Sequence, residues 1–303
     1  MNGIIVIDKP KDYTSRDIVN IVSKKLNTKK VGHTGTLDPL ATGVLVLPIG
    51  RALKVSELLT SNTKEYIAEV ILGYETDMLD ITGTEIKRNI PSVTKEELLK
   101  VLKSYIGKYN QEVPLYSAVK VGGRKLYEYA RSGTPVTPPS KEVEVYSLEL
   151  ISDLKHIKGA VEFTIRCEVS KGTYIRSLCE DIAKKLDTVG YMEELKRLKV
   201  GKFEIKDSIE IEELERNKEN KEILKKYFIT LEEYFINNES ISLDDRKLNM
   251  FLNGVKLTYK MPNGIYKIYN NNKYKRYKQL ENRLNLLIFS CNKCLGEIKD
   301  EDN

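Results

Sequence analysis

Histidine and cysteine are scarce in this sequence, and no apolar run is long enough to cross a bilayer. Each shortage excludes something. With His33 and His156 as the only imidazoles, a histidine-rich metal hydrolase is excluded. Four cysteines in 303 residues do not make a disulfide framework. Cys291 and Cys294 form C-N-K-C, half of a zinc site, but Cys167 and Cys179 are wrongly spaced to complete it and each sits inside a regular segment. Met1 to Lys9 carries an apolar run of only four residues, too short for a signal peptide. The expectation is a soluble cytoplasmic protein with no metal and no membrane contact.

What is present is ample apolar residue and a modest positive charge. At 303 residues with 41% hydrophobic composition, the chain can bury one large core plus a small one. The net charge is +6 and the pI about 8.8. Between Arg246 and Gln279 there are nine Lys or Arg and no Asp or Glu, with tyrosines at 259, 266, 269, 274 and 277. Cations that neutralise phosphates and rings that stack on bases fit nucleic-acid binding. A lysine-rich solvated face on a small β domain is the second reading of the same residues. We expect a large domain over 1–236 and a small basic domain with a polar tail over 237–303.

Along the chain, Ile4 to Ile7 reads as a buried strand ending at Asp8-Lys9-Pro10. Thr14 with Asp17 has capping-box spacing and opens a helix on which Ile18, Ile21, Val22 and Leu26 recur. The pattern predicts strands at Val44–Ile49 and Glu65–Leu72, with a helix over Arg51–Leu59. Gly73 to Gly83 is an acidic turn region in which Asp77 and Asp80 suit turn capping first, and otherwise metal binding or acid–base work. Thr94 and Glu97 open a second helix, through Ile106. Gln111 to Ser140 is rich in glycine, proline and basic residues and reads as an extended insertion with a short helix at Leu126–Arg131. Strands at Val143–Leu150 and Val161–Val169 precede a helix from about Arg176 to Leu186. Leu195 to Phe203 closes the large domain. Ile209–Asn220 reads as surface helix and linker, and Ile223–Phe235 as amphipathic. Pattern alone gives mixed α and β, without a βαβ rhythm.

The chain is organised around Val31 to Leu45, V-G-H-T-G-T-L-D-P-L-A-T-G-V-L. Three glycines and Pro39 make a tight loop that aims one carboxylate, Asp38. By itself this is also a plain glycine-rich turn with a capping aspartate. Other segments join it in order. They are Lys9-Pro10 with Thr14-Ser15, K-E-Y at Lys64 to Tyr66, T-D-x-x-D-x-x-G at Thr76 to Gly83, and Y-S-A-V-K with L-Y-x-x-A-R-x-G up to Gly133. S-K-G-T-Y-I-R at Ser170 to Arg176 and L-K-R-L-K-V-G-K-F at Leu195 to Phe203 complete the set. Together, over roughly the first two hundred residues, they resemble bacterial tRNA pseudouridine-55 synthases of the TruB type. Val113-Pro114 stands where the family usually has a Pro-Pro pair, and Lys141 where it often has arginine.

The resemblance implies a fold, a reaction and roles. The fold is α/β (α+β), a mixed and mainly antiparallel sheet flanked by helices, plus a small β-rich PUA-like C-terminal domain. The reaction is isomerisation of the T-loop uridine at position 55 of tRNA, with no cofactor. Asp38 is implied as the reacting carboxylate, through C1′ attack, C6 attack or ribose deprotonation. Arg176 pairs with it, a positive neighbour favouring the charged carboxylate. Tyr66 is implied as catalytic, stacking on the flipped base and handling a proton; Tyr174 and Leu198 line the same pocket, and His33 packs against the RNA. Lys9 and Pro10 brace the Asp38 loop, and Asp80 shapes the site. The insertion contacts phosphates through Lys120, Arg124, Lys125 and Arg131. The partner is the tRNA T-arm, with no obligate protein partner. A synthase with another RNA target, or a tRNA chaperone using the same surface, are the alternatives.

Overall fold

The structure, a computed structural model, describes residues 2–60, 63–217, 226–253, 255, 265–270 and 285–287. The first elements are β1 (Gly3–Lys9), α1 (Ser15–Lys25), β2 (Thr42–Ile49), a 3-10 turn (Gly50–Val55) leading into α2 (Ser56–Thr60), and β3 (Lys64–Leu72). A hairpin of β4 (Tyr74–Thr76) and β5 (Glu85–Arg88), α3 (Lys95–Ser104) and β6 (Gly107–Glu112) come next. Then come a second hairpin, β7 (Lys120–Val121) and β8 (Arg124–Lys125), α4 (Leu126–Ser132), β9 (Ser140–Leu150), β10 (Lys155–Ile157) and β11 (Ala160–Val169). α5 (Ile175–Lys185) and β12 (Gly190–Val200) precede the short pieces β13 (Phe203–Glu204), β14 (Ile209–Glu210), α6 (Ile211–Arg216), β15 (Phe228–Ile229) and α7 (Leu231–Tyr234). The last are β16 (Ser240–Leu243), α8 (Asp245–Leu252), β17 (Tyr266–Asn270) and β18 (Asn285–Leu287).

One sheet in the order β14-β1-β2-β12-β3-β11-β9-β6 carries the site, with β10, β13 and β15 paired at its margins. Its pairs are antiparallel except β1 with β14 and β2 with β12. The sheet is therefore mixed and mainly antiparallel, as expected. The sequence of each strand reflects what covers it. β1 and β2 are apolar on both faces because both are covered. Ile5, Ile7, Leu45 and Leu47 pack with Ile18 and Val22 of α1 and Leu178 and Ile182 of α5. Ile4, Val6, Val44 and Val46 pack on the other side with Ala52, Val55, Leu59, Phe203 and Phe235. β3 alternates strictly between buried and half-buried positions, so only one of its faces is core.

Both capping boxes form: the Thr14 hydroxyl accepts from Asp17 N while Asp17 accepts from Thr14 N, and Thr94 and Glu97 do the same. The second helix stops at Ser104, leaving Ile106 49% exposed. Arg51–Leu59 splits into a 3-10 turn and one turn of α-helix. The charge-dense Ile209–Asn220 stretch is more than surface. Ile209 pairs in parallel with Ile7, and Ile211 and Leu214 are core. Phe228 and Ile229 of the amphipathic stretch form a strand against Ile5 and Ile4. The insertion begins and ends inside the main sheet, where Gln111 pairs with Lys141 and Glu112 with Ser140. The excursion proper is 113–139.

The described residues from Ser240 onward include a separate sheet, β16-β17-β18, and a core of Ile241, Leu243, Leu248, Phe251, Tyr266 and Ile268. Here the expectation for the basic stretch needs correcting at two positions. Tyr266 is a core residue, and Lys267 is buried with its Nζ donating to Ile236 O at 2.9 Å. Neither offers a ring or a free charge to RNA. Tyr259, Tyr274, Tyr277, Cys291 and Cys294 lie outside the described residues.

Candidate active site

Asp38 stands in the loop between α1 and β2, and the loop is held on both sides of it. Ser15 Oγ accepts from Leu37 N at 2.8 Å and donates to Leu37 O at 3.1 Å. Lys9, fully buried, donates through Nζ to Pro10 O (2.8 Å), Tyr13 O (2.7 Å) and Pro39 O (3.1 Å). Pro39 O also accepts from Asp12 N at 2.8 Å. Burial pulls the Lys9 ammonium down to about 8, with Asp12 and Asp38 opposing. Lys9 thus braces the loop from behind, and half-buried Pro10 supplies one of the bound carbonyls.

The carboxylate faces a guanidinium. Arg176 Nε donates to Asp38 Oδ2 at 2.9 Å, Nη1 to Met78 O at 2.9 Å and Nη2 to Tyr116 O at 3.1 Å. Arg176 lies in the first turn of α5, where the helix dipole disfavours a cation. Two acids offset this. Asp38 is one, and buried Asp80 is the other, its Oδ2 3.7 Å from Nε. Asp80 Oδ1 accepts from Thr82 N at 2.9 Å, so it also caps its turn, as Asp77 does for Thr84 N.

These groups open onto a cavity of about 620 Å³ whose walls include His33, Asp38, Tyr66, Tyr174 and Arg176. Asp38 keeps 37% of its side chain exposed there, while Arg176 keeps 6%. Burial pushes the Tyr66 phenol above its ordinary pKa, against the pull of Arg197. Burial also raises Tyr174 and holds the His33 imidazole below its usual range, Arg197 and Arg16 adding to the latter. His33 Nδ1 is buried and has no hydrogen-bond partner among the described residues.

Leu198 is not part of the wall. β12 bulges so that Arg197 stands opposite Tyr66 and Lys199 opposite Glu65, leaving Leu198 as the extra residue. Leu195 and Arg197 reach the cavity instead. Arg197 is 1% exposed, donating to Val44 O at 2.7 Å and Gly35 O at 3.1 Å. In the sequence it reads as one more cation of a basic stretch, and only its pairing partner marks it. Gly43, with φ of +100°, lets the two strands meet, since a Cβ there would lie 2.2 Å from Arg197 O.

Lys64 and Lys171 also line the cavity. Burial, then Arg197, Lys171 and Lys141, bring Lys64 down to about 8. Of the insertion's cations, none is in the wall. Lys125 and Arg131 flank the ring of Tyr127, which is, each 5.3 Å from its centroid. Arg124 is tied within the insertion, to Glu128 O and Ser132 Oγ, and Lys120 is exposed. No cluster of three or more potential metal ligands occurs among the described residues, and no described helix is long and apolar enough to cross a membrane.

Comparison with known proteins gives a consistent result. Residues 23–175 match the TruB family pseudouridylate synthase N-terminal domain, and 176–235 the tRNA pseudouridylate synthase B C-terminal domain. The chain is 41% identical over 275 residues to tRNA pseudouridine synthase B of Caldanaerobacter subterraneus subsp. tengcongensis, covering 89% of this chain and 92% of that one. It is 40% identical over 289 residues to the protein of the same name in Fusobacterium nucleatum subsp. nucleatum, covering 95% and 98%. Among solved structures, a chain of a Cbf5-Nop10-Gar1 complex superposes with a TM-score of 0.64 at 25% identity, covering 89% of this chain and 75% of that one.

Proposed function

The chain belongs to the TruB family of pseudouridylate synthases, and from that premise we propose that it isomerises a uridine of the tRNA T-loop, position 55, with Asp38 as the group that acts on the nucleotide. The observation that carries this reading is the Asp38 carboxylate, hydrogen-bonded to Arg176 at 2.9 Å, in a cavity that also holds the Tyr66 ring.

The reaction breaks the N1–C1′ bond, turns the uracil, forms C5–C1′, and moves one proton from C5 to N1. Nothing is oxidised and no group is donated. The target base first leaves its stack, which costs about a few kcal/mol. Stacking on an aromatic ring returns roughly 1–3 kcal/mol per base, so Tyr66 can offset much of that cost. Arg176 keeps the carboxylate aimed and balanced in charge. Asp80 and the carbonyls of Met78 and Tyr116 hold Arg176 in turn. Tyr174 and Leu195 bound the base, and His33 meets the RNA that surrounds it.

The cations fit an RNA partner. Lys64, Lys171 and Arg197 line the cavity, and Lys125 and Arg131 flank the ring of Tyr127, which lines it too. RNA of this kind is read through shape and splayed bases, with phosphate contacts supplying salt-sensitive affinity. Residues 1–236 act as the catalytic domain and 237–303 as an accessory RNA-binding domain, and the enzyme works in the cytoplasm. The deciding experiment incubates the protein with an unmodified tRNA transcript and maps the product with chemistry specific for pseudouridine. Conversion at the T-loop uridine by the wild-type chain, lost in Asp38→Ala, is the expected result. Conversion elsewhere, or conversion that survives Asp38→Ala, contradicts the reading.

A further inference from the structure

Gln111 is 1% exposed on strand β6, and its side chain crosses to the start of α5. Tyr174 N donates to Gln111 Oε1 at 2.8 Å, while Nε2 donates to Tyr174 O at 3.0 Å and to Tyr109 Oη at 2.6 Å. Both amide hydrogens are used. The backbone partners also fix which end of the amide is oxygen, since an N–H only donates and a carbonyl only accepts. The side chain therefore pairs with Tyr174 as a neighbouring strand would, through one donor and one acceptor.

The position matters because the arginine that holds the acid lies just beyond it. Tyr174 is the N-cap of α5 and has no side-chain cap of its own, and Arg176 comes two residues later. Ser177 Oγ donates to Glu112 O at 3.0 Å, and Arg176 Nη2 donates to Tyr116 O at 3.1 Å. The first turn of α5 is thus latched to residues 111–116, where the excursion leaves the sheet. Tyr109 is itself held in place, edge-on to Tyr105 with ring centroids 5.3 Å apart, and Tyr105 donates to Asp181 O at 2.8 Å.

We propose that Gln111 is a positioning residue for the reaction: its amide sets how Tyr174 and Arg176 enter the cavity, and so couples the base of the excursion to the Asp38–Arg176 pair. This rests on the function proposed above. Gln111 touches no reacting atom and acts through Tyr174 and Arg176.

Two variants of the full chain, assayed on a tRNA transcript, test it. Gln111→Leu keeps the bulk and removes both backbone bonds, so kcat falls by about tenfold or more while tRNA affinity changes much less. Gln111→Glu supplies an acceptor for Tyr174 N, but only its protonated form can also donate to Tyr174 O. Its kcat relative to wild type therefore recovers as pH is lowered from about 8 to about 6. Asp181, raised to about 6 by burial and by Glu180 with Lys184 and Tyr109 opposing, titrates in the same window, which is why each value is taken as a ratio to wild type. Near-normal kcat in Gln111→Leu, parallel loss of kcat and affinity, or a pH-independent Gln111→Glu defect would overturn the proposal. Hydrogen exchange at the Tyr174 amide, protected in wild type and released in Gln111→Leu, reads the clamp without reference to activity. A wild-type chain that converts no uridine would count against the proposed function alone, while unchanged exchange in Gln111→Leu would count against the clamp.

Discussion

The loop that carries Asp38 and the 113–139 excursion border the same cavity and are secured in opposite ways. The loop is locked from inside: Ser15 and Lys9 pin Leu37 and Pro39 on either side of the aspartate, and Arg197 ties Gly35 to β2. The excursion is fastened mainly at its root, through Glu112 and Tyr116, and closed by short-range bonds such as Tyr127 N to Ser117 O. Val113, Pro114, Ser117 and Leu126 are its buried members, while Lys120 and Arg131 are exposed and Arg124 and Lys125 half-buried. Chemistry needs a carboxylate fixed to within a fraction of an ångström, whereas gripping a folded RNA needs charge on a surface that can adapt. On the function proposed above, turnover belongs to the loop and affinity to the excursion.

Substitutions can break that division or sharpen it. Asp38→Asn should lower kcat by about 10⁴-fold or more while leaving tRNA binding nearly intact, as measured by single-turnover assay and filter binding. Replacing Arg176 with Met leaves the carboxylate unaimed, and a loss of about 10²-fold in kcat is expected. Near-normal turnover there would sever the pair from the reaction. Lys9→Met takes the Nζ donor from Pro10 O and Tyr13 O, leaving Pro39 O to Asp12 N alone, and should cost about 3 kcal/mol of unfolding free energy in urea titration, with kcat reduced in the molecules that remain folded.

On the other side, the double change Lys125→Ala with Arg131→Ala should weaken tRNA binding by about tenfold and flatten the slope of affinity against salt by about two charges, with kcat at saturating tRNA preserved. A kcat effect larger than the affinity effect would erase the distinction between the two regions. The smallest expected effect concerns pH. Lys64 titrates near 8, so its positive charge is present below that value and lost above it. Affinity for tRNA should therefore decline as pH rises from 7 to 9, by about severalfold, and Lys64→Arg should remove that decline.

How much of this was legible in the sequence depended on the range of the interaction. The Thr14–Asp17 and Thr94–Glu97 caps are three-residue events and could be read directly. β1 and β2 were visible as apolar runs. β14 and β15 were not, because two-residue strands inside lysine- and glutamate-rich segments carry no periodicity and exist only by pairing with β1. The site divides in the same way. Motif resemblance brought Asp38, Tyr66, Tyr174, Arg176 and His33 to one cavity. Leu198 stands outside that wall because Leu195 and Arg197 take the inward positions of β12 and Leu198 is the unpaired residue that follows them, which no residue type there announces. Arg197 and Gln111 were missed because their meaning lies in partners 162 and 63 residues away.

Gly43 bears no reactive atom, yet it sets the gap between the strand leading out of the acid's loop and the strand that faces the phenol. A single methyl group there would meet the backbone of Arg197 before any solvent could yield. Saturation mutagenesis should accordingly record position 43 as intolerant of every substitution, alanine included, because both the neighbouring strand and the left-handed backbone exclude a side chain there.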